Sequence, residues 1–104
     1  MSIITLWALL AGMFMANGVP HFVKGITGQT HMTPFKRVSS PILNVVWGAL
    51  NFAVGLIFLN LATPGGAIPL GTDRWVFLAG AFIMALVAAN LFSKPDARLP
   101  WHKD

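Results

Sequence analysis

Three apolar runs divide the chain, at residues 3–19, 42–61 and 75–92, and none of them contains Asp, Glu, Lys, Arg or His. At about 1.5 Å of rise per residue each run covers roughly 25–30 Å as a helix, close to the thickness of a bilayer's hydrocarbon core. Backbone in lipid must satisfy its own hydrogen bonds, so the runs are read as helices and not as isolated strands. The expected fold is therefore all-α, a single membrane domain of three transmembrane helices forming a small bundle. Residues 20–41 and 62–74 connect the helices, and 93–104 form a tail.

Local signals mark the helix ends. Ser40 before Pro41 reads as an N-cap with proline in the first turn. Thr72 or Asp73 is placed to cap the third helix, and Pro95 follows its end. Pro20 is expected to stop the first helix or to begin a short new one ended by Gly25 or Gly28. The segment "ATPGGAIPLG" is rich in turn formers yet apolar, which suits the membrane interface. The first run lacks a basic n-region and a clear small-x-small cleavage site, so it is read as a retained helix.

The runs also carry internal patterns. Ala8, Gly12 and Ala16 in the first, and Ala81, Ala85 and Ala89 in the third, recur every four residues; Gly48 and Gly55 lie seven apart in the second. Such small residues let helices approach in lipid, where packing and hydrogen bonds drive association. Asn44, Trp47, Gly48, Asn51 and Gly55 share one face of the second helix. Asn17 and Asn90 lie near the ends of the other two helices, toward the same side as Asn44. An amide facing hydrocarbon is costly, so this face is expected to point inward, either to bond helix to helix or to line a pocket for a small ligand or lipid head group.

Composition agrees with a membrane setting. Hydrophobic residues make up 56% of the chain and charged residues 10%, too few to surface a water-soluble domain. The net charge of +4 comes from scattered residues with no basic run or stripe, which argues against nucleic-acid binding. Lys24, Lys36, Arg37, Lys94, Arg98 and Lys103 fall in the first connection and the tail, whereas the second connection holds Arg74 alone. The positive-inside rule then places the N-terminus outside and the C-terminus in the cytoplasm of a bacterial-type inner membrane. With no cysteine, disulfides, thiolate metal sites and cysteine nucleophiles are excluded.

The most polar stretch, "NGVPHFVKGITGQTHMTPFKR", holds His21 and His31. Their ten-residue separation is not a metal-binding pair, and no acidic ligand lies close in sequence, so no metal and no cofactor are expected. His21 and His31 are the only candidates for catalysis, and they lack an evident acidic partner. The order "NGVPHFVKG…PF…SSP..NVVWG..NF..G" resembles small bacterial integral-membrane proteins of the DoxX-like group, a resemblance confined mostly to residues 17–55. Such proteins usually have four spans, and this chain has room for three, so no site residue is carried over.

The leading functional expectation is a non-enzymatic structural or accessory subunit, in contact with membrane lipid and assembled as a homo-oligomer or within a larger membrane complex. The alternative is a small facilitative transporter, channel or lipid- or small-molecule-binding protein that uses the asparagine face. A membrane enzyme using His21 or His31 comes third.

Overall fold

The computed structural model describes residues 1–65 and 69–103. Among these residues the chain forms α1 (Ile3–Ile26), β1 (His31–Thr33), β2 (Lys36–Ser39), α2 (Pro41–Ala62) and α3 (Thr72–Phe92). All three helices are long and apolar enough to cross a membrane. The fold is a small all-α bundle with one antiparallel hairpin, β1–β2, at one end. The expectation that the second connection rests in the interface falls partly on residues 66–68, outside the described residues.

α1 is the central helix. It packs against both α2 and α3, which barely touch each other. The α1–α2 pair is antiparallel and very close at Gly18 and Gly48: a Cβ on Gly18 would sit 2.9 Å from the Gly48 carbonyl, and one on Gly48 2.7 Å from the Phe22 backbone nitrogen. The α1–α3 pair runs parallel, with Gly12 facing the Phe77 carbonyl and Gly80 facing that of Leu9. Thr5 Oγ1 donates to Asp73 Oδ1 at 2.8 Å, which fastens the first turns of α1 and α3 together. Asp73 therefore bridges helices; the N-cap of α3 is Gly71, and no side chain caps it.

Pro20 does not end the first helix. α1 passes through it and continues to Ile26. Proline removes one backbone hydrogen bond and crowds the preceding turn. The segment beyond it compensates by burying His21 and Gly25 against α2. The helix ends at Gly28, whose φ of 75° suits glycine. Gln29 N–H donates to the Lys24 carbonyl and Gly28 N–H to that of Gly25, closing a Schellman motif. Ser40 caps α2 as expected, its side chain accepting from Leu43 N–H at 3.1 Å.

Candidate functional site

The hairpin folds over the end of the bundle where α1 finishes and α2 begins, and Asn44 holds it there. Asn44 is fully buried, and its Nδ2 donates toward the carbonyls of His31 (2.9 Å), Ser40 (3.0 Å) and Ser39 (3.2 Å). Three carbonyl partners identify that atom as the amide nitrogen, so Oδ1 is the acceptor facing His21 Nδ1 at 3.0 Å. His21 must donate from Nδ1, which leaves Nε2 as its free ring nitrogen. No partner for His21 Nε2 occurs among the described residues.

A second polar relay lies one turn deeper in the bundle. Asn17 Nδ2 donates to Asn51 Oδ1 at 2.8 Å, and Asn51 Nδ2 donates to the Trp47 carbonyl at 2.8 Å. The amide protons of Asn51 turn back onto its own helix, and its oxygen ties α1 to α2. Asn17 Oδ1 has no partner among the described residues. The indole N–H of Trp47 is likewise buried with no acceptor among them.

These unpaired groups surround one space. A cavity of about 110 Å³ is lined by Asn17, His21 and Trp47, with Met32, Phe92 and Leu99 among the other wall residues. The tail forms part of the enclosure and is stapled to the hairpin. Trp101 Nε1 donates to the Pro34 carbonyl (2.6 Å), Arg37 Nε to the Ala97 carbonyl (3.1 Å) and His102 Nε2 to the Thr33 carbonyl (2.7 Å). His102 Nδ1 accepts from Leu99 N–H at 3.0 Å, so this ring has both nitrogens engaged.

His31 borders the site on the hairpin side. Its ring centroid lies 5.2 Å from that of His21 and 4.3 Å from that of Phe92. Its Nε2 is buried without a partner. Burial, reinforced by repulsion from His21 and Lys24, pushes the His31 imidazole down to about 4. Among the described residues no group of three or more His, Asp or Glu side chains is arranged to hold a metal ion, and neither ring bonds a carboxylate.

The structure thus brings together Asn17, Asn44, Trp47, Asn51, His21 and His31. Asn90 does not join them. The inward line of α3 follows Phe77, Gly80, Ala81, Met84, Ala88 and Leu91, and Asn90 falls off that helical phase onto an exposed face. The alanine stripe of α3 divides for the same reason. Ala81 meets Gly12, while Ala85 and Ala89 are exposed at the edge of an apolar groove shared with Ala16. Ala8, Gly12, Gly48 and Gly55 are buried at helix contacts. Phe92 and Leu99 were not foreseen as cavity walls; the only sequence signal for a docked tail was a Trp–His pair in a segment too short to judge.

Comparison with known protein families, curated proteins and solved structures finds no match to this chain.

Proposed function

We propose that this protein is a non-enzymatic membrane protein that binds a small ligand in the cavity between α1, α2 and the hairpin. The observation that carries this reading is the Trp47 indole N–H, buried without an acceptor in the wall residue of a space large enough for a ligand. Native proteins rarely leave such a donor orphaned, since it costs about 1–3 kcal/mol. A ligand supplying an acceptor recovers that cost. The surrounding polar groups, Asn44 and Asn51, are fully used in holding the walls.

In this reading the site lies at the cytoplasmic side of a bacterial-type inner membrane. Six of the seven basic residues belong to the hairpin segment and the tail, which the hydrogen bonds join at one end of the bundle, while Arg74 begins α3 at the other. The test is native mass spectrometry of the protein extracted gently from its own membrane. A retained small-molecule mass that is lost in Trp47→Phe supports binding; an unliganded protein in every charge state opposes it.

A second reading is favoured by α3. Its outer face leaves Ala85 and Ala89 exposed in a small-residue stripe that this chain does not cover. That face fits an accessory role against a second copy or a larger membrane complex. Crosslinking from a cysteine at Ala85 in native membranes tests it: a discrete crosslinked species supports the reading, and a strictly monomeric protein opposes it.

A further inference from the structure

We propose that the ligand is a lipid alcohol, with its neutral hydroxyl head in the Asn17–His21–Trp47 cavity and its chain in the groove between α1 and α3. The inference rests on the binding reading above and names its ligand class. Trp47 Nε1–H is a donor awaiting an acceptor. His21 Nε2 and Asn17 Oδ1 are acceptors without a donor among the described residues. A hydroxyl group both donates and accepts, so one such head satisfies both kinds of wall atom.

Charge narrows the class further. No Lys, Arg, Asp or Glu lines the cavity. A carboxylate or phosphate there would be desolvated without a counter-charge, and an ammonium has no lone pair to offer Trp47. The head is therefore neutral. Size sets its scale: a dry cavity of about 150 Å³ holds benzene, so about 110 Å³ suits a glycerol-sized head.

The chain follows from what adjoins the cavity. Phe92 lines the cavity and also an apolar groove of about 400 Å³ formed by Ala16, Val19, Pro20, Ala85 and Ala89. Along α1, Asn17 and His21 face the cavity, while their neighbours Ala16 and Pro20 face the groove. The groove lies along helices long and apolar enough to span the membrane, where the covering medium is hydrocarbon. A head held at Asn17 and His21 thus has its chain directed past Phe92 into a slot already shaped by alanines.

The experiment measures thermal unfolding of the purified, delipidated protein in detergent with 1-monooleoylglycerol, oleate or glycerol. A saturable upward shift of several degrees with 1-monooleoylglycerol alone is expected. Trp47→Phe, which removes the donor, and Ala85→Trp, which fills the groove at an exposed position, should each weaken apparent affinity at least tenfold. Ala85→Trp keeps the test decisive if Trp47→Phe folds poorly. An equal shift with glycerol would make the occupant a soluble polyol, and an equal shift with oleate would remove the neutral-head requirement; either overturns the proposal. A shift that survives both variants does the same. A native adduct of another chemical class, lost in Trp47→Phe, overturns the lipid alcohol while leaving the binding reading intact; no adduct and no shift overturn both.

Discussion

His21 Nδ1 and Asn44 Oδ1 lie 3.0 Å apart, both side chains buried, and this contact joins the end of α1 to the start of α2 across 23 positions of sequence. The same Asn44 amide reaches three backbone carbonyls of the hairpin and its junction with α2. One residue therefore fixes the tautomer of His21 and the position of the hairpin. Asn44→Leu is expected to destabilise the protein by about 3 kcal/mol, because buried carbonyls and an imidazole N–H lose their partner together. Thermal unfolding in detergent measures the loss. Amide hydrogen exchange should show the hairpin opening before the helices.

His31 makes stability depend on pH. Its imidazole titrates near 6.5 when exposed and near 4 in the fold. Between those values the unfolded hairpin binds a proton that the folded one does not, so stability falls as pH falls from 6.5 to 4 and is fully present above 6.5. Hairpin amide exchange measured across this window should accelerate on acidification. His31→Gln should flatten the dependence.

The close approach of α1 and α2 predicts a steric penalty. A methyl at Gly48 meets the backbone of Phe22 at 2.7 Å and the Gly18 carbonyl at 3.0 Å, and backbone cannot step aside as a side chain can. Gly48→Ala should cost about 1–3 kcal/mol by overpacking, read as a lower midpoint of thermal unfolding. Gly55→Ala should cost less. Its nearest neighbours are the side-chain atoms of Met15, at 2.6 and 2.8 Å, and methionine is adaptable.

Much of this arrangement was legible in the sequence. The three spans follow from hydropathy alone, and the inward face of α2 follows from the spacing of Asn44, Gly48, Asn51 and Gly55, all buried. Pro20 misled because the cost of proline in a helix is local, whereas the burial of His21 and Gly25 that outweighs it depends on α2. Asn90 misled because lying at the right depth in a bundle does not fix the rotational phase of a helix. The hairpin and docked tail were hidden for another reason. Their bonds go largely from side chains to backbone carbonyls, as with Trp101 to Pro34 and His102 to Thr33, and carbonyls carry no sequence signature.

The proposed orientation is testable because the native chain has no cysteine. Single cysteines at Thr30→Cys and Thr72→Cys, both at exposed positions, report opposite ends of the bundle. A membrane-impermeant maleimide should label Thr72→Cys in intact cells and Thr30→Cys only after permeabilisation. The reverse pattern would invert the assignment.

The central claim is that a ligand completes the hydrogen bonding of Trp47, and the indole N–H resonance of that residue reports on it directly. In ¹⁵N-tryptophan-labelled protein the four indole signals separate, and the Trp47 signal is the one missing from Trp47→Phe. The account predicts that this proton is hydrogen-bonded and protected from exchange in protein taken from its membrane, and that delipidation shifts it and exposes it while Trp7 and Trp75 stay unchanged. An indole signal for Trp47 that is identical before and after delipidation would contradict the claim.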